Sequence, residues 1–462
     1  MAEYDLTPVK VPKVKTRFRT IRTPIPVPAS LPIFEELHRS EPRSMAGQPP
    51  IVWHKADNFT VSDKWGNRWI DWSSGVLITN AGHGRKEIAR AVKQLADRRL
   101  LATYVFVHES RATLTRMLRE ISPDPGTYQA FLLSTGSEAT ENCVKLAKTY
   151  ALQKHGAHKK FFVSFRNAFH GRTMGAQLAG GNERLKTWMV DRDRTFVQVP
   201  FPDGYKYKDT SFEVFLRSLE EQDVKPQDIA GVMSESYQGV GPDFLPVEYA
   251  KRLESFCRDN DIVLIMDEVQ SGFGRTGKMF CFEHYGIQPD LIACGKGISS
   301  SLPLAAVIGR KDIMGLYAPG SMTSTHSASP LAVAAGIENL KIIKKEKLAE
   351  RAAKLGRILL PELQRIQQKH ALILGCFQGK GLVAGIQVVK PGTREPDSAM
   401  AQKINVACFQ KGLLMFAPVG VAGECLKVAP PLTISEAALR ESIAVFEEAV
   451  DEVLGSQRKR CG

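Results

Sequence analysis

Along the middle of the chain the hydrophobic pattern switches repeatedly between two periods. Residues 249–258 show it most clearly. Tyr249, Ala250, Leu253, Phe256 and Cys257 recur at helical spacing, with Lys251, Arg252, Glu254 and Arg258 on the other face. Pro246 suits the first turn of that helix, and Asp259-Asn260 breaks it. Residues 262–266 then form an unbroken β-rich apolar run, and a strand apolar on both faces belongs in a covered parallel sheet. Similar runs at 130–133, 161–164, 229–233, 291–293 and 305–308 alternate with helical stretches. Strands alternating with helices predict an α/β fold whose central sheet is mostly parallel.

The flanks read differently. Residues 59–61 and 68–72 bracket the turn Asp63-Lys64-Trp65-Gly66-Asn67, a hairpin signal. From Lys347 onward helices dominate, with a strand-like stretch at 382–389 and a closing helix carrying Leu439, Ile443, Phe446, Val450 and Val453. The expected organisation is a large domain over 85–345 and a smaller α+β domain made from 1–84 and 346–462. The basic N-terminus (Lys10, Lys13, Lys15, Arg17, Arg19, Arg22) lacks the apolar centre of a secretory signal. Its prolines at 8, 12, 24, 26 and 28 block the amphipathic helix of a mitochondrial presequence. An extended arm lying over another surface is expected instead.

Composition narrows the function. With 462 residues, 43% hydrophobic and 24% charged, the chain is long enough for two packed lobes and is not disordered in composition. No apolar run approaches the roughly 20 residues that span a bilayer, so no membrane partner is expected. The net charge of +13 invites a nucleic-acid reading, but the charge is spread along the chain and aromatics are only 8%. A field that draws in small anionic substrates explains the same excess, so no nucleic-acid partner is expected. The eight cysteines contain no C-x-x-C pair and most sit in apolar runs, which fits a reducing, cytoplasmic setting and offers no metal site.

In open α/β sheets ligands bind beyond the carboxyl ends of the strands, so the polar residues just after each strand carry the chemistry. Ser134-Thr135-Gly136-Ser137-Glu138 follows one strand and opens a helix, an anion site or a plain N-cap. Asp267 directly follows the 262–266 run; it could hold a metal, act as a base, pair with a ring nitrogen or be structural. Lys296, between Gly295 and Gly297 after another buried strand, is unusually placed for lysine; desolvation there would lower its pKa and make it a nucleophile. The segment Gly272-Phe273-Gly274-Arg275-Thr276-Gly277-Lys278 fits both G-x-G-x-x-G and G-x-x-x-x-G-K. However, Met279 replaces the Ser or Thr of a P-loop, and no amphipathic helix follows. A nucleotide-binding enzyme is thus the rival from a different class.

Lysine, aspartate, a phosphate-type turn and an aromatic before His170 are the parts a pyridoxal 5′-phosphate site needs. At this point the sequence resembles the class III (ω-amino acid) pyridoxal-phosphate aminotransferases of fold type I. The resemblance runs from Gly66-Asn67-Arg68-Trp69 through Asn80-Ala81-Gly82-His83 to Pro430-Pro431-Leu432. It is most specific in Met266-Asp267-Glu268-Val269-Gln270-Ser271-Gly272-Phe273-Gly274-Arg275-Thr276-Gly277 with Lys296 downstream. It implies that Lys296 binds the cofactor covalently, Asp267 pairs with the pyridine nitrogen, and Gly136 and Ser137 bind the phosphate. Phe169, followed by His170, would stack on the ring, Val269 would pack its other face, and Gln270 would reach the ring hydroxyl. Glu235 would supply an acidic group beside the reacting nitrogen, and Val76 would line the substrate pocket. Thr325 would reach the phosphate of the neighbouring subunit, which implies a homodimer.

The implied reaction is a ping-pong transamination from an amine donor to a 2-oxo acid; a racemase or epimerase of the same family is the alternative. The sequence leaves the family's glutamate-using pattern at two places. Lys427 stands where an arginine is usual, and Val240 stands where a second glutamate is usual. Lysine offers a point charge, not a planar fork for bidentate carboxylate binding. Unless Lys427 is simply a solvated strand-edge residue, it points to ω- or β-amino donors, or a bulky anionic donor such as a β-aminoacyl-coenzyme A.

Overall fold

A computed structural model describes residues 3–458. Two compact units are formed, one from the residues up to Arg85 and from Arg351 onward, the other from Lys86–Glu350. Cys461 lies outside the described residues.

The Lys86–Glu350 unit is built on a seven-stranded sheet: β1 (Tyr128–Leu133), β2 (Phe161–Phe165), β3 (Phe196–Val199), β4 (Ile229–Glu235), β5 (Val263–Asp267), β6 (Leu291–Cys294) and β7 (Ala305–Arg310), in the order β1-β7-β6-β5-β4-β2-β3. From β3 to β6 every pairing is parallel, while β7 runs antiparallel between β6 and β1. All strands but β7 therefore aim their carboxyl ends at one edge. β4, β5 and β6 are buried along their whole length, which is why their sequences are apolar without alternation. Helices α1 (Gly136–His155), α2 (Val247–Asp259) and α3 (Pro330–Lys345) belong to the same unit. α1 packs on the sheet so tightly that a Cβ on Gly231 of β4 would lie 2.9 Å from the Ala147 Cβ.

Each strand expected from the sequence is present to within two residues of its bounds. β3 is additional, an edge strand whose alternating pattern is only four residues long.

In the other unit, Thr60–Ser62 and Arg68–Asp71 form the expected antiparallel hairpin, with Leu413–Leu414 added in parallel. A second, antiparallel sheet joins Leu374–Lys380, Val383–Val388 and Cys425–Val428. The N-terminal arm is not a free extended segment. Val14–Lys15 and Thr20–Ile21 pair as a hairpin that joins Arg68, and Leu31–Ser40 is a helix. Ile21, Ile25 and Val27, interleaved with the basic residues, are buried and hold the arm in this unit's core. Arg19 pairs with Glu441 at 2.7 Å. Among the described residues no helix is long and apolar enough to cross a membrane.

Candidate active site

Parallel register brings the chemistry together. Asp267, the last residue of β5, is paired with Glu235 at the end of β4 and with Ala293 of β6, three residues before Lys296. Ser134 to Ser137 follow β1, and Phe169 and His170 follow β2. Gly136, Ser137, Phe169, His170, Glu235, Asp267, Val269, Gln270 and Lys296 all line one cavity of about 220 Å³. Tyr237 lines it too, donating its hydroxyl to the Gln270 carbonyl at 3.2 Å; sequence reasoning missed it. Its only signal was its place inside Ser234-Glu235-Ser236-Tyr237-Gln238-Gly239.

The turn into α1 is an anion site built on a cap. Thr135 Oγ1 accepts from the Glu138 N–H at 3.2 Å, while Glu138 Oε2 accepts from the N–H groups of Ser134 and Thr135. This capping box satisfies its own donors. Gly136 and Ser137, the first two helical residues, have no carbonyl within the helix to receive their N–H groups, which carry the positive end of the helix dipole. Two glycines let the backbone approach Val269 closely at this corner. A Cβ on Gly136 would stand 2.9 Å from Val269 Cγ1, and one on Gly295 would stand 3.1 Å from the same atom.

Besides Tyr237, four ionisable groups share the cavity. His170 Nδ1 and Asp267 Oδ2 lie 2.8 Å apart, both buried, and Asp267 Oδ1 accepts from the Val269 N–H at 3.0 Å. His170 Nε2 is buried with no partner among the described residues. Burial works against charging His170, but the bonded Asp267 carboxylate outweighs it and raises the pKa above the ordinary imidazole value. Burial pushes Glu235 up to about 7, with the His170 charge acting against the shift. Its Oε2 and Oε1 accept from the N–H groups of Phe169 at 3.0 Å and Gly239 at 2.8 Å, so Glu235 also anchors the backbone of the aromatic. Burial lowers the pKa of Lys296, against the opposing pull of Asp267 and Glu235. Its amine is correspondingly easier to deprotonate into a nucleophile.

These residues suit pyridoxal 5′-phosphate in chemistry and space. A desolvated amine and a buried carboxylate face one cavity, a helix N-terminus closes one end, and the glycine cradle leaves Val269 as an apolar wall. The Arg172 guanidinium lies over the Phe169 ring, 5.6 Å from its centre. Three expected residues are not among the cavity's walls. Thr325 is exposed, in the same unit. Val76 and Lys427 belong to the other unit. Val76 is half-exposed at φ 63°, next to Ser74, Gly75 and Leu77, which also have positive φ. Lys427 lies inside the Cys425–Val428 strand and is only 2% exposed, which removes the solvated-edge reading. The Gly272 to Lys278 segment forms a run of turns leading to the short 3-10 helix Cys281–His284, so no long helix follows it as a dinucleotide site needs.

The Glu235 environment makes a testable pH dependence. Its carboxyl titrates near 4.5 when unfolded and near 7 when folded. The folded state therefore holds an extra proton between those values, and that contribution to stability is complete below pH 4.5 and lost as pH rises to about 7. In the cofactor-free protein, Glu235→Gln should gain stability relative to wild type across that window, by up to ~3 kcal/mol, and level off above it. Thermal unfolding of both proteins between pH 4.5 and 8 measures this; a constant difference would show an ordinary carboxylate.

Comparison with known proteins agrees with this geometry. Residues 43–450 match the family model for aminotransferase class-III. The chain is 32% identical to a 4-aminobutyrate aminotransferase of Mycobacterium leprae (strain TN), over 94% of this chain and 98% of that one. It is 33% identical to a 5-aminovalerate aminotransferase of Pseudomonas putida, over 89% and 96%. Among solved structures, an aminotransferase of Bacillus anthracis superposes with a TM-score of 0.82 at 31% identity, covering 92% of this chain and 99% of that one. An (S)-enantioselective ω-transaminase of Thermomicrobium roseum superposes with a TM-score of 0.79 at 28% identity, covering 91% and 94%. With its sheet-edge lysine and aspartate and its fold type I architecture, the chain belongs to the class III aminotransferases, enzymes that depend on pyridoxal 5′-phosphate.

Proposed function

We propose that this aminotransferase takes its amino group from an ω- or β-amino donor and passes it to a 2-oxo acid, in the cytoplasm and as a homodimer. The observation that carries the site assignment is the meeting of Lys296, Asp267 and the α1 N-terminus in one buried cavity. Lys296 would hold the cofactor covalently, the N–H groups of Gly136 and Ser137 would bind its phosphate, Phe169 and Val269 would flank its ring, and Gln270 would reach the ring hydroxyl. Pyridoxal phosphate, when bound, supplies an electron sink for the bond next to the amino nitrogen. Asp267 would pair with the ring nitrogen, and His170 holds that carboxylate in place. With the cofactor in place, Lys296 Nζ would take the proton from the donor carbon and deliver it to the carbon on the far side of the amino nitrogen. Glu235 places its carboxyl beside this amine and fixes the Phe169 backbone.

For the donor, the relatives named for 4-aminobutyrate and 5-aminovalerate support an amino group remote from the acid. Lys427 supports contact with an anionic donor group through a single charge, and Val76 supports an apolar pocket wall. A coenzyme A thioester of a β-amino acid is the bulkiest donor of this type. For the dimer, Leu101, Phe106 and Val107 are exposed, at 56%, 75% and 89%. Beside them Tyr104 bonds Thr323 at 3.0 Å, and Ser324 bonds the Glu138 cap at 3.0 Å. An apolar surface adjoining the Thr323-Ser324-Thr325 loop suits a second copy of the chain, with Thr325 reaching that copy's phosphate. Among the described residues no two cysteines form a disulfide with each other, which suits a reducing compartment.

Two measurements test this reading. Borohydride reduction of the holoenzyme followed by peptide mapping should place the cofactor on Lys296, and Lys296→Ala should lose ~10²-fold or more of its transamination rate. A variant with normal turnover would remove Lys296 from the chemistry. For specificity, kcat/KM should be compared between wild type and Lys427→Ala with pyruvate, 2-oxoglutarate and several ω- and β-amino acids. At least one substrate should change by more than about threefold; uniform values would place Lys427 outside the substrate site.

A further inference from the structure

The turn that presents Lys296 is strained and is gripped from behind by a residue the reaction does not use. Lys296 has φ +42°, in the left-handed region that non-glycine residues rarely occupy. It opens the 3-10 turn Lys296–Ile298, whose Ile298 N–H returns to the Gly295 carbonyl at 3.0 Å. Local sequence does not fix such a geometry. Asn339, in the middle of α3, does. Its side chain is fully buried, and Nδ2 donates to the Gly297 carbonyl at 2.8 Å and to the Ile298 carbonyl at 2.9 Å. A flipped amide would press Oδ1 against two carbonyl oxygens, so the orientation is fixed by chemistry. Oδ1 itself is buried without a partner among the described residues.

A polar side chain in a helix with an otherwise apolar buried face, left half-unsatisfied, costs stability. Leucine would fill a similar volume at no such cost. Asparagine offers instead two N–H groups at a fixed angle, matched to two successive carbonyls. We propose that Asn339 is a positioning residue that clamps the strained turn and so orients Lys296 Nζ for addition to the cofactor and for the later proton transfer. This rests on the reading that Lys296 carries the cofactor.

The test uses Asn339→Ala, which leaves room for water at the two carbonyls, and Asn339→Leu, which fills the space. Each is compared with wild type for the rate at which pyridoxal phosphate adds to the apoenzyme, followed by absorbance, and for kcat and KM of the amine half-reaction. The expected result is folded protein by circular dichroism, with the addition rate and kcat each reduced about tenfold or more, as for a slightly misplaced reacting group. Amine KM should move by less than about threefold. A variant that keeps both rates within about twofold of wild type would overturn the proposal, whatever its melting temperature. Failure of both variants to fold would also count against it, by making Asn339 a structural residue. Peptide mapping of the reduced wild type separates the two readings: cofactor on another residue sinks the Lys296 assignment by itself.

Discussion

The site depends on a buried carboxylate held on both of its oxygens. Asp267 sits at the end of a strand covered on both faces, where burying a polar group without partners is costly. The His170 imidazole at 2.8 Å and the Val269 N–H at 3.0 Å offset that cost on its two oxygens. A carboxylate so held can keep a proton on a ring nitrogen brought into the cavity. The same dryness that makes Asp267 expensive lowers the basicity of Lys296 and pushes Glu235 up to about 7. One feature of the fold, burial at the sheet edge, therefore acts on both Lys296 and Glu235.

Parallel pairing makes the convergence possible. β4, β5 and β6 end together, so side chains separated by about thirty residues in sequence become neighbours by register. α1 brings its free N–H groups to the same edge because Gly136 and Gly295 let the backbone close on Val269. The loop carrying Thr325 is tied to that corner through Ser324 and the Glu138 cap. Hydrogen bonds from Tyr104 to Thr323 and from Ser324 to Glu138 thus connect the α1 end of the cavity with the exposed apolar segment near Tyr104.

Much of this was legible in the sequence because covered parallel strands declare themselves as unbroken apolar runs, and their ends point to the chemistry. Asp267 and Lys296 stood out as charged residues immediately after such runs. The edge strand Phe196–Val199 was not legible, since four alternating residues give no more signal than a loop. Leu374–Lys380 was hidden by its two glycines and by a burial pattern that does not alternate. The arm reads as extended and basic, yet Ile21 and Ile25 dock it in its own unit; its apolar anchors are too few and too widely spaced to form a pattern. Tyr237 and Asn339 escaped for a related reason. Each acts through a contact across the fold that no local spacing encodes.

The most direct measurement is turnover of Asp267→Asn holoenzyme with the natural cofactor. The replacement is nearly isosteric and keeps an oxygen for His170, so the protein should fold and bind cofactor. Without the negative charge the ring nitrogen loses its proton, and the rate should fall on the order of 10²-fold or more. Turnover within a few-fold of wild type would contradict the role of Asp267 as the charge on which the site depends.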